Sequence, residues 1–344
     1  MFFSRRQFLI SGGLLCALPW TNAASSQETR ILRIGTASTA GIYFPIGGLI
    51  ASAISSPPGS RECERGGSCG VPNLIATAQS TEGSASNVEA IEQGNLETAL
   101  AQADVAFWAY HAEGPYEGRE PLRNLRTIAN LYPEVIQVVT REEAKIESPH
   151  DLKGKRISLD QQGSGSLVDA LLILEAWGLS PDDFEASYLA PNVAASQLRK
   201  GELDGFFMVA GTPTPAISDL AEEIPIRLLR LEGEPVERLR NRYPFFSVAE
   251  VMEETYEGIP NTPSLSVGAQ WLVDARLEEQ LVFQMTQAFW HPRHRQLFEE
   301  GHPQARRISL DTALNGLGTP LHPGAKRYYE SIGITIIEPY EIND

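Results

Sequence analysis

The chain has 344 residues, with 28 Lys and Arg against 44 Asp and Glu, and a formal net charge of −16 at pH 7. This length is enough for two compact lobes. A surface this acidic repels the phosphate backbone of nucleic acid, so we do not expect nucleic acid as a partner. The alternative explanation of the acidity is solubility.

The first residues have the pattern of an export signal. Arg5 and Arg6 precede a short apolar run at 8–20 that glycines and a proline interrupt. This pattern predicts a twin-arginine signal peptide over residues 1–24, and therefore a periplasmic protein. The run is shorter than the roughly 20 apolar residues that span a bilayer. A lipoprotein anchor at Cys16 is the alternative, but the residue before it is larger than is usual there.

Beyond that segment the sequence has two cysteines, Cys63 and Cys69. They flank a short glycine-containing loop of a protein expected in an oxidising compartment, so we predict a disulfide between them. We expect no metal site, because two thiols at this spacing lack partner histidines nearby. The bridge closes a short loop and should therefore stabilise the loop more than the whole fold.

Short apolar runs alternate with helical patterns, which favours an α/β fold with largely parallel strands. Before Pro133 the pattern predicts strands at 31–36, 74–79, 105–110 and 125–131, with helices at 46–54 and 87–93. After Pro133 it predicts strands at 135–140, 157–159 and 205–209, with helices at 167–177 and 194–200. A return strand at 264–273 and a helix at 277–290 complete the prediction.

The order of these elements predicts two lobes joined by hinge strands. The chain leaves the first lobe near Pro133 and re-enters it near Pro263. We therefore predict lobe one from residues 25–133 and 264–344, lobe two from residues 134–263, and a central ligand cleft between them.

Four loops that follow predicted strands are rich in small polar residues. Ligands of open α/β sheets bind at the carboxyl ends of strands, so we expect these loops to line one cleft. The segment "DQQGSGS" at 160–166 also begins a helix, whose backbone amides bind anions without a cation. The first loop, taken alone, equally fits an ordinary helix cap. The candidate ligand-binding residues in these loops are Ser38, Thr39, Gly41, Tyr43, Gln79, Ser80, Thr81, Asn87, Gln102, Asp160, Ser164, Gly165, Ser166, Gly211 and Thr212.

Three acids near predicted strand ends are candidates to bind the ammonium group of a ligand: Asp104, Glu134 and Asp160. A structural role is the alternative for Asp104 and Glu134. Burial of Asp160 is unfavourable without an amine partner, unless its carboxyl group is protonated or otherwise paired.

Catalytic and cofactor motifs fit the sequence poorly. The segment 160–166 lacks the Gly-Lys-Ser/Thr of a P-loop, the dinucleotide fingerprint and the Gly-x-Ser-x-Gly of a serine hydrolase. His291 and His294 have a spacing that a metal pair also uses, but no glutamate lies between them and the segment "HPRHR" is rich in arginine. We expect no enzyme, no cofactor and no metal.

Six segments resemble, in order, the TAXI-type solute receptors of TRAP transporters: "IGTASTAGIYFPIGGLIA", "VPNLIATAQSTEGSASNVEAI", "LYPEVIQVV", "LKGKRISLDQQGSGS", "LDGFFMVAGTPTPAISDL" and "HPGAKRYY". They extend from residue 32 to about residue 329. The resemblance implies a two-lobe periplasmic binding protein, type II-like, that delivers a solute to an ion-driven TRAP membrane carrier, here with fused subunits. A monomer is the expected state for a part that docks, releases and diffuses.

Members of that family bind glutamate, glutamine, 2-oxoglutarate or related acids. We therefore expect a carboxylate-bearing solute, first one like glutamate or glutamine and second a 2-oxo dicarboxylate. A binding protein for an ATP-driven importer, a sensor-kinase receptor and an enzyme are the alternatives. Family members often carry glycine where this chain has Asp160, and small residues or proline where it has Gln161 and Gln162. If these side chains face the cleft, we expect the protein to select a different ligand from the usual acids.

Overall fold

The computed structural model describes residues 28–336, which contain one mixed sheet of ten strands and a separate sheet of two. The predicted signal peptide and Cys16 lie outside the described residues. Within residues 28–336, no helix combines the length and the apolar sequence that a membrane crossing requires.

The strands are β1 (Arg30–Gly35), β2 (Ser55–Ser56), β3 (Val71–Pro72), β4 (Leu74–Gln79), β5 (Thr98–Gln102), β6 (Leu125–Arg141), β7 (Arg156–Ser158), β8 (Glu185–Ser187), β9 (Gly205–Ala210), β10 (Ile226–Leu228), β11 (Ser247–Val251) and β12 (Thr262–Asp274). The α-helices are α1 (Tyr43–Ile54), α2 (Ser84–Glu92), α3 (Ala103–His111), α4 (Gly165–Ala176), α5 (Pro191–Lys200), α6 (Pro215–Glu223), α7 (Glu234–Arg242), α8 (Glu279–Phe289), α9 (Arg295–Gly301) and α10 (Pro323–Ser331).

Two long antiparallel strands, β6 and β12, occupy the middle of the large sheet, whose order is β4-β1-β5-β12-β6-β9-β7-β8. On one side of them, β1 pairs in parallel with β4 and β5; we call these three strands the N-terminal half-sheet. On the other side, β7 pairs in parallel with β8 and β9; these three form the central half-sheet. Two parallel half-sheets joined by shared strands confirm the predicted α/β fold class, while the lobe boundaries at Pro133 and Pro263 stay a prediction.

Each face of the large sheet carries its own hydrophobic core. One core contains buried side chains of α1, α5, α6, α8 and α10, and the other contains those of α2, α3, α4 and α7. Neighbouring residues of β6 alternate between them, since Val138 packs in the second core and Val139 in the first. This alternation follows from the two-residue period of a strand.

The strand predicted at 105–110 is wrong, because these residues belong to the helix α3. The run is apolar on nearly every side, and Val105, Ala106, Trp108 and Ala109 are all buried. A short apolar run of this kind does not distinguish a buried helix from a buried strand.

The strands predicted at 125–131 and 135–140 form one 17-residue strand, β6, which continues through Pro133. Pro133 pairs with Gly268 of β12, and β9 joins the other side of β6 only from Val135 onward. Proline lacks an N–H, and it is tolerated in a strand where one side has no ladder partner.

Two adjacent glycines of α1 give a matched test of how closely this helix packs on the sheet. A Cβ at Gly47 would lie 2.5 Å from Thr36 Cγ2, whereas a Cβ at Gly48 would have no atom within 4 Å. We expect Gly48→Ala to raise the free energy of unfolding by up to about 1 kcal/mol, from helix propensity alone. Gly47→Ala should lower it, because overpacking costs about 1–3 kcal/mol. Urea unfolding of both variants measures these changes. A higher free energy of unfolding in both variants would show that α1 can shift away from the sheet.

Asn87 of α2 ties together the chain segments that follow β1 and β4. Its Nδ2 donates to the carbonyl oxygens of Thr36 and Leu100, at 2.7 Å each, and its Oδ1 accepts a 2.8 Å hydrogen bond from the Thr81 hydroxyl. The side chain is fully buried. The buried side chain of Asn87 therefore holds the loops that follow β1 and β4 in place.

Asn87→Ala should lower the free energy of unfolding by about 2–4 kcal/mol, because it removes two buried donors. The neighbouring Ser86 bonds only the exposed Glu82 through its side chain, so Ser86→Ala is the control, with a change within about 0.5 kcal/mol. Urea unfolding measures both. Equal stability of the two variants would contradict the bracing role of Asn87.

Candidate functional site

A polar cavity of about 50 Å³ lies between the N-terminal and central half-sheets. The first residues of α1, α2 and α4 line it, together with the middle of β6, the end of β9 and the turn after β7. Its lining residues are Ala37, Ser38, Gly41, Ile42, Tyr43, Glu82, Gly83, Ser84, Gln102, Glu134, Asp160, Gln161, Ser164, Gly165, Ser166, Pro191, Met208, Val209 and Ala210.

Glu134 is the most deeply buried acid of this lining. It lies on β6, and its Oε2 accepts a 2.6 Å hydrogen bond from the Tyr43 hydroxyl. Burial raises the pKa of Glu134 to about 8, and the nearby charge of Asp104 acts in the same direction, while the Tyr43 hydrogen bond opposes the shift. In the empty cavity Glu134 is therefore mostly protonated at pH 7.

Asp160 is the second buried acid, and its backbone has a left-handed φ of 74°. Its Oδ1 accepts a 2.7 Å hydrogen bond from the Gln161 N–H, and the hydroxyls of Ser164 and Ser166 also bond its carboxylate. Burial raises the pKa of Asp160 to about 6, against these three hydrogen bonds. A backbone in this sparsely populated region, carrying a buried acid at a cavity, points to a functional constraint.

Contacts between the two half-sheets close the cavity on one side. Gln161 Nε2 donates to the Glu82 carbonyl oxygen at 2.9 Å, and the Ser86 N–H donates to the Gly163 carbonyl oxygen at 2.9 Å. Close packing also brings Gly165 against Gln102, since a Cβ at Gly165 would lie 1.4 Å from Gln102 Oε1. The structure thus has the two sides in contact, as expected for a closed cleft.

The charge of the lining is one-sided. Of the described residues, neither a lysine nor an arginine lines the cavity, whereas Glu82, Glu134 and Asp160 do. Three helices, α1, α2 and α4, begin at the cavity, and the start of a helix carries partial positive charge from its free N–H groups. The site therefore offers carboxyl groups to a cation and backbone amides to an anion.

The structure brings nine of the predicted ligand-binding residues together around this cavity: Ser38, Gly41, Tyr43, Gln102, Glu134, Asp160, Ser164, Gly165 and Ser166. Most come from the ends of strands and the starts of helices, as the strand-end pattern predicts, whereas Glu134 lies in the middle of β6. Their role in binding stays a prediction.

The other eight lie outside the lining: Thr39, Gln79, Ser80, Thr81, Asn87, Asp104, Gly211 and Thr212. Thr39, Gln79 and Ser80 are exposed, and Ser80 donates to the Ala37 carbonyl oxygen. Thr81 and Asn87 bond each other and the backbone of the strand ends. Asp104 is buried behind Gln102.

The fourth loop approaches the cavity one residue earlier than predicted. Ala210 lines it, whereas Gly211 packs against the side chain of Gln304 and the Thr212 carbonyl oxygen accepts from Gln304 Nε2. Sequence reasoning also missed apolar lining residues, of which Pro191 and Met208 are examples. A proline at the first position of a helix marks where α5 begins, but not which side of the sheet it faces.

Cys63 and Cys69 form a disulfide, with their Cα atoms 4.6 Å apart. The expectation that no histidine lies near them is wrong in space, because His291 Nε2 lies 3.8 Å from Cys63 Sγ. These three residues are close enough to share a metal ion, but the bridged sulfurs are not thiolates. The rings of His291 and His294 lie 5.7 Å apart, and His291 Nδ1 accepts from the Arg293 N–H while His294 Nδ1 contacts the Ala288 carbonyl oxygen.

Several solved structures share a remote likeness with this chain. PhnD1 from Prochlorococcus marinus, in complex with methylphosphonate, is 10% identical over 89% of this chain and 99% of its own, with a TM-score of 0.48. The alkanesulfonate-binding protein SsuA from Xanthomonas axonopodis pv. citri, bound to MOPS, is 20% identical over 81% and 82%, with a TM-score of 0.44. A binding protein component of an ABC phosphonate transporter from Pseudomonas aeruginosa is 10% identical over 82% and 80%, with a TM-score of 0.46.

With TM-scores below 0.5, these likenesses carry no conclusion about the ligand of this chain. The match to a family is much more extensive. The model of the NMT1-like family matches residues 34–333, and the chain therefore belongs to the NMT1-like family.

Proposed function

We propose that this protein is an extracytoplasmic solute receptor that binds a small amino acid, like glutamate or glutamine, in the cavity between the two half-sheets. The observation that carries the proposal is the pair of buried acids, Glu134 and Asp160, in a lining without lysine or arginine among the described residues. The lining also contains no histidine or cysteine within the described part of the chain. The site is built to hold a solute, and we propose no chemical conversion of it.

An ammonium group is the ligand feature that the acids support. Two carboxyl groups buried at one cavity are unfavourable unless they are protonated or paired with a cation. A bound ammonium supplies that cation and donates hydrogen bonds to the carboxylate oxygens of Glu134 and Asp160. A 2-oxo dicarboxylate, the second expected ligand, supplies only negative charge and fits this lining less well.

A carboxylate group is the feature that the helix starts support. Tyr43, Ser84 and Gly165 are the first residues of three helices, and all three line the cavity. Free N–H groups at helix starts bind anions without a charged side chain. The N–H groups at the starts of α1, α2 and α4 are therefore the partners that we propose for the ligand carboxylate. The ammonium group of an amino acid thus has the buried acids as partners, and its carboxylate has the N–H groups of the helix starts.

The size of the cavity bears on how a solute enters. A volume of about 50 Å³ holds only a few water-sized groups. Glutamate is larger, so the half-sheets must part for entry and settle at a slightly wider separation around the solute. The hydrogen bonds of Gln161 and Ser86 across the cleft are those that such opening breaks.

Binding of an amino acid should release a proton at pH 7. Glu134 has a pKa of about 8 in the empty cavity, and a neighbouring ammonium lowers that pKa, so the carboxyl group ionises on binding. Affinity should therefore rise with pH between 6 and 8, by up to tenfold per pH unit. Calorimetry of L-glutamate, L-glutamine and 2-oxoglutarate in buffers of different ionisation enthalpy measures both effects.

Glu134→Gln should weaken amino-acid binding about 10- to 100-fold, since a charge-assisted hydrogen bond contributes about 1.5–3 kcal/mol, and it should abolish the proton release. Glu120→Gln makes the same change at an exposed position far from the lining and is the control. Binding of 2-oxoglutarate alone, with affinity that rises as the pH falls, would overturn the amine assignment. No binding of any of the three would overturn the glutamate-like assignment.

Two kinds of membrane carrier are candidates to receive the solute. The six segments that resemble TAXI receptors favour an ion-driven TRAP carrier. The names of several remote structural neighbours, which are binding components of ABC importers, favour the alternative of an ATP-driven importer. That likeness is too remote to decide between the carriers.

Uptake into membrane vesicles from cells that make this protein separates the carriers. With purified protein and labelled L-glutamate or L-glutamine outside, we expect uptake driven by an imposed sodium gradient without ATP. A requirement for ATP inside the vesicles would assign the receptor to an ATP-driven importer instead. Vesicles without added receptor are the control.

A further inference from the structure

Two fully buried carboxyl groups meet directly behind the cavity. Asp104 lies in the first turn of α3, which follows β5 of the N-terminal half-sheet, and Asp169 lies in α4, which follows β7 of the central half-sheet. Both have 0% exposure, and their carboxyl groups lie within hydrogen-bonding reach of each other. The contact therefore joins elements attached to opposite halves of the sheet.

These carboxyl groups have few other partners. Asp169 Oδ2 accepts a 2.7 Å hydrogen bond from Gln102 Nε2. Within residues 28–336, Asp169 Oδ1 and both oxygens of Asp104 have no well-formed hydrogen bond, although the backbone N–H groups of Asp104 and Val105 lie near enough to lower the pKa of Asp104. No lysine, arginine or histidine of these residues forms an ion pair with either aspartate. Two adjacent buried carboxylates without a cation do not both ionise, and a single proton between them satisfies the oxygens that face each other.

Burial raises the pKa of both aspartates, and the charge of Asp104 raises the pKa of Asp169 further. The other titratable groups that act on the pair are Glu134, on β6, and Tyr116, in the turn after α3. The charge of Glu134, when that group is ionised, favours retention of the proton by the pair, whereas the phenol of Tyr116 is neutral in this pH range.

The side chain of Gln102 connects this pair to the cavity. Its Nε2 donates to Asp169, whereas its Oε1 faces Gly165 in the lining and accepts from the Ser84 hydroxyl at 3.3 Å. The Ser84 hydroxyl in turn accepts from the Gln102 backbone N–H at 3.1 Å. A reversed amide would set Oε1 against the Asp169 oxygen, where two acceptors repel. Asp169 thus determines which end of the amide faces the cavity.

We propose that Asp104 and Asp169 share one proton and that Asp169 is a positioning residue, which holds Gln102 with its carbonyl oxygen toward the bound solute. The consequence for the ligand rests on the proposed function: Gln102 Oε1 is a hydrogen-bond acceptor for an N–H of an amino acid, and it disfavours a solute that presents only oxygen acceptors there.

Stability against pH tests the shared proton without any ligand. The folded pair retains a proton that an unfolded aspartate, with a pKa of 3.8, has released. Stability is therefore full at low pH and falls as the pH rises toward the pKa of the pair, with the unfolding equilibrium constant rising up to tenfold per pH unit. Asp104→Asn replaces the shared proton by an amide N–H, so its stability should fall less between pH 5 and 8.

Glu134 also retains a proton in this range, so the comparison is made in a Glu134→Gln background as well as in the wild type. In both backgrounds, Asp104→Asn should gain stability over its parent as the pH rises. Parallel curves for variant and parent would overturn the shared proton, and so would a loss of stability by the variant that grows with pH.

The orientation of Gln102 is tested by NMR of its side-chain amide protons, assigned by their absence in Gln102→Met. Asp169→Asn keeps an acceptor for Nε2 and should keep these protons in slow exchange, as in the wild type. Asp169→Leu removes the acceptor, and exchange should become at least tenfold faster. Unchanged exchange in Asp169→Leu would overturn the positioning role.

Should Asp169→Leu not fold, fast exchange in Asp169→Asn would still overturn the positioning role, and slow exchange would support it. None of these measurements uses a solute. If the stability and exchange measurements support the shared proton and the orientation of Gln102, but no amino acid binds, only the proposed ligand is refuted. A protein that binds them with parallel stability curves refutes the pair alone.

Discussion

The pairing of β6 with β12 is the constraint on which the rest of this structure depends. Both strands lie between the N-terminal and central half-sheets, and they pair from Leu125 with Asp274 to Val135 with Ser266. Because the parallel strands on either side are attached to the same two strands, their loops face each other across the cavity. Glu134 lies on β6 at this cavity, so the deepest acid of the cavity belongs to the element that joins the halves.

The second organising feature is the burial of acids without cations. Asp104, Glu134, Asp160 and Asp169 are all buried at or behind one cavity, and none of them forms an ion pair within the described residues. Each buried charge of this kind is costly, so such a cluster persists only where protonation or a ligand relieves it. Without a cation, repulsion between the buried carboxylates keeps some of them protonated. In the proposed complex the ammonium group of the ligand takes the place of one of these protons.

Sequence patterns predicted the parts of the site that depend on local rules. The segment 160–166 combines a strand end, glycines and a helix start, and it lies at the cavity as expected. The strand at 105–110 was wrong because α3 is buried on most sides and loses its periodicity. Asp169 went unnoticed, since an acid within a helix is usually solvated, and only the approach of α3 shows that this one is not. The prediction that Gly211 lies at the cavity missed a similar long-range contact, because Gln304, from a segment distant in sequence, covers this glycine.

The two acids that line the cavity differ in a way that fits a zwitterion. Asp160, with a pKa of about 6, is mostly ionised at pH 7, and three hydrogen bonds hold its carboxylate at the start of α4. Glu134, with a pKa of about 8, is mostly neutral until a cation arrives. The two buried acids together therefore carry close to one negative charge rather than two, which limits repulsion of the ligand carboxylate during entry. In the proposed complex the ammonium group of the ligand lowers the pKa of Glu134, so Glu134 is ionised only once the amino acid is bound.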